Sequence, residues 1–313
     1  MRFLVMGAGS IGSVVGCLLH LGGHDVCLLG KGPHAEAVTQ RGLKISGIWG
    51  NFELKDIPAA TDVEMVKACG FQPEWTLLSV KSYDTEAALR DLMPILPNQR
   101  GIISLQNGLG NVEAISAAAP GKAVGGRVIF GAVTVEPGHV EVTVCADDVL
   151  LGPAHGGPVG VEAVVAAFRG SRIPCRYEPE ILSYIWDKVL YNACLNALAT
   201  LLQTNYGSLA DDPGTREIMR RLVSEFYAVA GAEGVKLVSE TPEAYIKRLE
   251  EDLLPPTREH RSSMQEDIER GRRTEIDALN GAVYELGRKH CIETPANELL
   301  THLTHFLEKR GQT

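Results

Sequence analysis

The sequence predicts an α/β fold in which a doubly wound, mostly parallel sheet is followed by an all-helical domain. The chain has 313 residues, more than one domain usually contains. Short apolar runs alternate with helical stretches in its first half, as a parallel sheet covered by helices requires. The strand signal then ends near Pro179. We therefore expect two domains, residues 1–179 and residues 180–313.

The sheet is predicted from apolar runs separated by intervals long enough for a helix. The predicted strands are Arg2 to Met6, Asp25 to Leu29, Trp75 to Val80, Gly101 to Leu105 and Lys122 to Val128. Farther on, β-branched residues alternate on either side of Pro137-Gly138, which predicts an antiparallel hairpin between Phe130 and Gly152. We expect this hairpin to extend the same sheet. One more helix and a short strand near residues 172–176 follow.

The second domain is predicted from apolar residues that recur at spacings of three and four. The predicted helices are Leu182 to Leu202, Thr215 to Glu233, Pro242 to Leu253, Arg261 to His290 and Pro295 to Arg310. The run Leu254-Pro255-Pro256-Thr257 interrupts them. An α-helical bundle is the expected architecture.

The overall composition excludes several classes of partner. A net charge of -9 disfavours nucleic acid, whose backbone is itself anionic. No apolar run reaches the roughly 18 residues of a membrane span, so we expect no membrane partner. Met1 leads straight into a strand-like run instead of a basic targeting region, so we expect a cytoplasmic location. Seven scattered cysteines without a Cys-x-x-Cys pair suggest reduced, mostly buried thiols. His302 and His305 have no matching carboxylates or thiols nearby, so we expect no metal site.

A glycine-rich loop directly follows the first predicted strand and precedes a helix. Its residues are Gly7, Ala8, Gly9, Ser10, Ile11 and Gly12. In this pattern Gly7 permits a tight turn, Gly9 lets the backbone approach a pyrophosphate and Gly12 allows close helix packing. The position of the loop between strand and helix favours a dinucleotide site over a structural glycine turn, which predicts a Rossmann domain.

The end of the second predicted strand indicates which dinucleotide binds. An NAD enzyme usually places Asp or Glu there for the ribose hydroxyls. This chain has Leu29-Gly30-Lys31 instead, so a cation stands where a 2′-phosphate needs one. The sequence therefore favours NADP(H), although a solvated surface lysine is the alternative interpretation of Lys31.

A polar stripe interrupts the first helix of the second domain. Lys188, Asn192 and Asn196 recur every four positions and thus share one face. A solvent-facing stripe is the alternative, but asparagine is a poor residue for an exposed helix interior. We expect the stripe to form part of a site.

Five segments in series resemble the ketopantoate reductases (2-dehydropantoate 2-reductases). They are the glycine loop, Val80-Lys81-Ser82-Tyr83-Asp84-Thr85, Gln106-Asn107-Gly108-Leu109-Gly110, the stretch from Trp186 to Asn196, and the stretch from Ser262 to Gly281. The resemblance implies an NADP-dependent oxidoreductase of coenzyme A and pantothenate biosynthesis. It would transfer a hydride to the keto carbon of 2-dehydropantoate and so make pantoate.

The resemblance also implies roles for individual residues. Lys188 would be the catalytic cation or acid, and Asn107 would lie at the nicotinamide and substrate side. Lys81 would assist Lys31 at the adenosine phosphate, with an ordinary surface lysine as the alternative. Asn192 and Asn196 would bind substrate.

The same resemblance assigns Ser263 to the substrate carboxylate and Glu275 to the substrate hydroxyl or the lysine. In one straight helix these residues would lie about 18 Å apart, too far to touch one small acid. Either the helix bends, near Gly271 for example, or one residue acts through another. For Glu275 the alternative is an ion pair with Arg272 or Arg273 on a solvated face.

Departures from the family pattern leave the substrate open. The usual Asn-Gly pair appears here as Asn205-Tyr206-Gly207, which changes the group that meets a distal hydroxyl. Family members commonly follow their Pro-Gly turn with Val-x-His-x-Gly, whereas this chain has His139-Val140-Glu141-Val142-Thr143-Val144, so the histidine of that pattern is missing. A reductase of another small keto acid and a non-catalytic NADP-binding regulatory protein are the alternatives. The oligomeric state is open as well, with a homodimer among its alternatives.

Overall fold

The computed structural model describes residues 1–310, so the last three residues of the predicted second domain lie outside the described part. The chain divides into two compact units. The first unit comprises residues 1–106 and 111–181, and the second comprises residues 107–110 and the chain from Leu182 onward. The short segment Asn107–Gly110 therefore belongs with the helical part of the chain.

The first unit contains an eight-stranded sheet in the order β12-β11-β8-β7-β6-β1-β2-β5. Its strands are β1 (Arg2–Met6), β2 (Asp25–Leu29), β5 (Ala59–Ala60), β6 (Trp75–Leu78), β7 (Gly101–Ser104), β8 (Ala123–Arg127), β11 (Val149–Pro153) and β12 (Cys175–Tyr177). All neighbouring pairs are parallel except β8 and β11. The predicted α/β class and the five predicted parallel strands are confirmed, with the predicted ends for β1 and β2 and ends that differ by one or two residues for the other three.

The helices of the first unit are α1 (Ser10–Leu21), α2 (Gly32–Arg41), α3 (Val63–Ala68), α4 (Thr85–Leu92), α5 (Asn111–Ala118) and α6 (Val161–Gly170). Short 3₁₀ turns span Ser82–Asp84 and Leu96–Asn98. The central strands β1, β6 and β7 are buried on both faces apart from the first residue of β1, as parallel strands between helix layers must be.

The predicted hairpin forms, but it does not extend the main sheet. Strands β9 (Phe130–Glu136) and β10 (His139–Cys145) join β3 (Leu43–Gly47) and β4 (Phe52–Leu54) in a separate four-stranded sheet. The cause is the parallel pairing of β10 with β3, a strand that the sequence pattern did not indicate. Val140 and Val142 are fully buried in the core that this sheet shares with α1. The prediction of one continuous sheet is therefore wrong.

The second unit is helical. Its helices are α7 (Ile181–Leu202), α8 (Tyr206–Asp211), α9 (Pro213–Ala232), α10 (Pro242–Arg248), α11 (Ser263–Glu269), α12 (Asn280–Lys289) and α13 (Pro295–Arg310). A π-helical turn at Leu249–Leu253 continues α10, and 3₁₀ turns span Pro255–Thr257 and Ile276–Ala278. Among residues 1–310, no helix is both long enough and apolar enough to cross a bilayer.

The predicted helix from Arg261 to His290 is wrong as a continuous element. Helix α11 ends at Glu269, and Gly271 adopts a left-handed φ of 63°, which ends helices readily. Thr274 then donates from its backbone N–H and from its hydroxyl to Glu308 Oε1 in α13, each at 2.7 Å. These bonds fix a non-helical return of the chain before α12 begins.

Candidate active site

The glycine loop has the backbone geometry that a bound pyrophosphate needs. Gly7 has a φ of 109°, and a Cβ there would lie 2.5 Å from the backbone nitrogen of Val80. A Cβ at Gly12 would lie 2.3 Å from the carbonyl oxygen of Gly7. At Gly9, by contrast, a Cβ would meet nothing within 4 Å. The first and last glycines are therefore needed for packing, whereas Gly9 leaves open space for a ligand.

The loop leads into helix α1 without a side-chain cap. Gly9 is the N-cap residue, and no side chain among the described residues caps the helix there. The first turn of α1 also contains no acidic residue. Uncapped backbone N–H groups and the positive end of the helix dipole both favour an anion. The residues present thus fit a dinucleotide pyrophosphate.

The two predicted phosphate-binding lysines also belong to the first unit. Lys31 is the N-cap residue of α2, directly after β2, and its side chain is 75% exposed. Its Nζ lies 3.5 Å from Asp91 Oδ2. Lys81 follows β6 and precedes the 3₁₀ turn at Ser82–Asp84. A cation at the end of β2, where an acid would select NAD, is suited to a 2′-phosphate.

The second unit contains a small polar pocket. Its lining residues are Asn107, Asn192, Asn196, Ser263, Met264, Asp267, Glu275 and Leu279. Five of these are among the residues that the sequence singled out, and they come from three separate segments of the chain. The alternative of a solvent-facing stripe on α7 does not describe the fold, since Asn192 lines the pocket and Asn196 is only 5% exposed.

Lys188 is attached to this pocket through Asn107. Its Nζ donates to Asn107 Oδ1 at 2.6 Å. Asn107 is held in place because the next residues dock on the end of the 276–278 turn. Leu109 N donates to the carbonyl oxygen of Ala278 at 2.8 Å, and a Cβ at Gly108 would lie 2.4 Å from Ala278 Cβ. An ammonium group is thereby held at the rim of a pocket lined with amides.

The break after α11 brings Ser263 and Glu275 to the same pocket. Because the chain reverses at Gly271 and Thr274, the separation of about 18 Å expected for one helix does not apply. Of the two alternatives, a bend near Gly271 or a residue acting through another, the structure shows the bend. Glu275 is 8% exposed, while Arg272 pairs with Asp267 and Arg273 with Asp277.

Asp267 is a pocket residue that the sequence analysis did not single out. It is 2% exposed, and its Oδ1 accepts from Arg272 Nη2 at 2.7 Å. Its position four residues after Ser263 on α11 places both side chains on one helix face, and this spacing could have identified it. No cluster of three or more His, Cys, Asp or Glu side chains in the described part of the chain is arranged to hold a metal ion.

These features together define a class: a Rossmann-type dinucleotide-binding protein whose helical domain holds a small polar pocket with a lysine at its rim. Family comparison makes the assignment particular. Residues 3–156 match the family model described as ketopantoate reductase PanE/ApbA, and residues 180–308 match its C-terminal counterpart. The chain belongs to the ketopantoate reductase family.

Two of the similar proteins bear this family's name, and a third is a different dehydrogenase. A 2-dehydropantoate 2-reductase of Aquifex aeolicus is 39% identical over 98% of this chain and 97% of that protein. A crystal structure of a ketopantoate reductase from Ralstonia eutropha JMP134 is 29% identical, with a TM-score of 0.88 and full coverage of both chains. A ternary structure of D-mandelate dehydrogenase with NADH and anilino(oxo)acetate, 26% identical, also has a TM-score of 0.88 with full coverage of both chains.

Proposed function

We propose that this chain reduces 2-dehydropantoate to pantoate with NADPH, as a 2-dehydropantoate 2-reductase. The observation that carries the proposal is the hydrogen bond from Lys188 Nζ to Asn107 Oδ1, because Asn107 lines a pocket whose other residues are mostly polar. Membership of the ketopantoate reductase family supports the same reaction. Residues 1–179 are the NADP-binding domain of this proposal, and residues 180–313 are the substrate domain.

The first unit would hold the cofactor. Gly7, Ala8, Gly9, Ser10, Ile11 and Gly12 would surround the pyrophosphate. Lys31 and Lys81 would bind the 2′-phosphate, and Asn107 would contact the nicotinamide side. When bound, NADPH supplies the hydride. The open space at Gly9 and the absence of an acid in Leu29-Gly30-Lys31 support this role.

Lys188 has the principal chemical role. As a hydride reaches the keto carbon, the carbonyl π electrons move to oxygen and form an alkoxide. The Lys188 ammonium polarises the carbonyl, stabilises the negative charge as it develops and then transfers a proton from Nζ to the alkoxide oxygen. The lysine, left as a neutral amine, regains its proton from water. Asn107 Oδ1 accepts a hydrogen bond from Nζ and thus holds the ammonium in one direction.

The remaining pocket groups would orient the keto acid. Ser263 would donate its hydroxyl hydrogen to the substrate carboxylate, and Asn192 and Asn196 would bind the rest of the molecule. Glu275 would accept from the substrate hydroxyl or from the Lys188 ammonium. The convergence of Asn192, Asn196, Ser263 and Glu275 on one pocket supports these roles.

The test is NADPH oxidation measured with ketopantoate, with 2-ketoisovalerate and with 2-oxo-2-phenylacetate, the keto acid that corresponds to mandelate. NADH serves as the control cofactor. We expect rapid turnover of ketopantoate with NADPH and slow turnover in every other combination. Preferential reduction of another acid would make the chain a related reductase. Binding of NADPH without turnover of any acid would favour the regulatory alternative.

The expected partners and location complete the proposal. A small keto acid and NADP(H) are the ligands, and no nucleic acid is involved because the chain is strongly anionic. All seven cysteines are free thiols, which supports a cytoplasmic location. Light scattering measures whether the chain forms a homodimer.

A further inference from the structure

Tyr206, the residue that departs from the family's usual Asn-Gly pair, contacts the pocket residue Asn196. Its side chain is 2% exposed, and its hydroxyl donates to Asn196 Oδ1 at 2.5 Å. Tyr206 is the first residue of α8, whose N-cap Asn205 accepts a hydrogen bond from Ser208 N. The departure therefore lies in the interior, against a residue that lines the pocket.

The Tyr206 ring is fixed on two sides. Tyr191 packs edge-on against it with ring centroids 5.9 Å apart, and the His260 ring lies 5.1 Å away. The backbone is anchored as well, since Tyr206 N donates to the His260 carbonyl oxygen at 3.3 Å and Gly207 N donates to the carbonyl oxygen of Arg258 at 2.8 Å. A ring held in this way keeps its hydroxyl at one position.

The direction of the hydrogen bond to Asn196 follows from burial. Burial raises the pKa of the Tyr206 phenol well above its usual range, so the hydroxyl keeps its proton. A buried O–H needs an acceptor, and in the described part of the chain Asn196 Oδ1 accepts from this hydroxyl. If the amide were flipped, its nitrogen would face the tyrosine oxygen and the phenolic proton would have no acceptor.

The amide nitrogen of Asn196 is consequently left for the pocket. Nδ2 has no hydrogen-bond partner among the described residues. It is also not one of their buried polar atoms that lack a partner, so it is open to a ligand or to solvent. Asn196 also lies about two helical turns beyond Lys188 on α7, and Asn107, the partner of Lys188, lines the same pocket. A ligand group that meets Nδ2 is therefore a second group of the same small molecule, distinct from the group that meets the lysine.

We propose that Tyr206 is a positioning residue that determines specificity: it orients Asn196 so that the amide N–H donates to the hydroxyl oxygen at the end of the keto acid remote from the ketone. This inference rests on the proposed function, because it names the part of that substrate which Asn196 recognises. Tyr206 itself touches no reacting atom and acts through Asn196.

The experiment compares two substrates that differ by one hydroxyl group. They are ketopantoate and the analogue in which its hydroxymethyl group is a methyl group. In Tyr206→Phe we expect kcat/KM for ketopantoate to fall about tenfold, mainly through KM, and kcat/KM for the analogue to change less than about twofold. The loss reflects an amide that is free to rotate in the variant. NADPH affinity is expected to stay constant.

Tyr191→Phe is the matched control. Its hydroxyl lies 2.8 Å from Thr257 Oγ1 and has no part in the Asn196 contact, although its ring packs on the same tyrosine. We expect Tyr191→Phe to leave the ratio of kcat/KM for ketopantoate to kcat/KM for the analogue unchanged. In Asn196→Ala the ratio should already be reduced, and adding Tyr206→Phe should reduce it little further, as residues acting in series do.

Equal losses on both substrates in Tyr206→Phe, or no loss on either, would overturn the inference. The same contrast can be measured without turnover, by calorimetric binding of pantoate and its methyl analogue to the NADP⁺ complex. A wild-type chain that binds pantoate no better than the analogue would overturn the role of Asn196. Suppose instead that the chain binds pantoate more tightly than the analogue but reduces neither keto acid. This result would refute the proposed reaction and leave the recognition of the hydroxyl by Asn196 in place.

Discussion

The glycine loop and the polar pocket are built in opposite ways. The loop is one continuous segment, Gly7–Gly12, and its fit to a ligand depends on the absence of side chains. The pocket is assembled from Asn107, helix α7 and the segment 263–279, and it depends on which side chains converge. A backbone site should thus be sensitive to an added Cβ, and a side-chain site to a removed functional group. Substitutions of both kinds test this difference.

Removal of the Lys188 ammonium should give the largest effect. In Lys188→Ala we expect kcat to fall by about 1000-fold, because the developing alkoxide loses both its counter-charge and its proton source. NADPH affinity, measured by fluorescence titration, should be nearly unchanged. Lys289→Ala is the control, since Lys289 is an exposed lysine of the same unit that pairs with Glu233. Weak cofactor binding with normal turnover would contradict the assigned role.

The loop glycines should separate stability from binding. In Gly12→Ala the new Cβ would overlap the carbonyl oxygen of Gly7, so we expect a lower melting temperature and about 100-fold weaker NADPH binding. In Gly9→Ala the melting temperature of the cofactor-free protein should stay constant while NADPH binding still weakens.

Gly170→Ala is the matched control for Gly9→Ala, because a Cβ at either position meets open space. We expect no effect of this control on NADPH binding. If Gly9→Ala also bound NADPH normally in calorimetry, the loop would not approach the pyrophosphate in the expected way.

Charge at the end of β2 should affect the choice of cofactor. In Lys31→Ala we expect the KM for NADPH to rise about tenfold and the KM for NADH to change little, since only NADPH carries the 2′-phosphate. Lys67→Ala removes another exposed lysine of the same unit, paired with Glu64, and should leave both values unchanged. A parallel rise for both cofactors would argue against a 2′-phosphate contact.

A substitution in the segment that follows α11 should have the smallest effect among these four sets of substitutions. Thr274→Val removes the hydroxyl that donates to Glu308 while the backbone N–H bond persists, so Glu275 should lose part of its support. We expect the KM for the keto acid to rise about threefold to fivefold with NADPH affinity unchanged. Thr301→Val, a buried change whose hydroxyl bonds only within α13, should leave the KM unchanged.

Sequence reasoning worked where the signal was local. Strands β1 and β2 begin and end at the predicted residues, since a run of apolar residues between turn signals decides a buried parallel strand. The polar stripe on α7 was also readable, because helical spacing alone puts Lys188, Asn192 and Asn196 on one face.

It failed where a distant partner decided the structure. The hairpin β9–β10 joined a second sheet because of its pairing with β3, about a hundred residues earlier in the chain. The helix expected from Arg261 to His290 ends at Glu269, Thr274 bonds to Glu308 beyond the break, and Ser263 and Glu275 line one pocket. Apolar periodicity contains no information about either contact.

The sequence by itself determined the family, the α/β class, the glycine loop and the identity of the residues available for hydride chemistry. These follow from local spacing and from motifs in series. Only the tertiary structure decided that Ser263 and Glu275 line one pocket, and that the Tyr206 hydroxyl donates to the pocket residue Asn196. The physical reason is that side-chain convergence depends on where the chain reverses, and long-range hydrogen bonds such as Thr274 to Glu308 set that reversal.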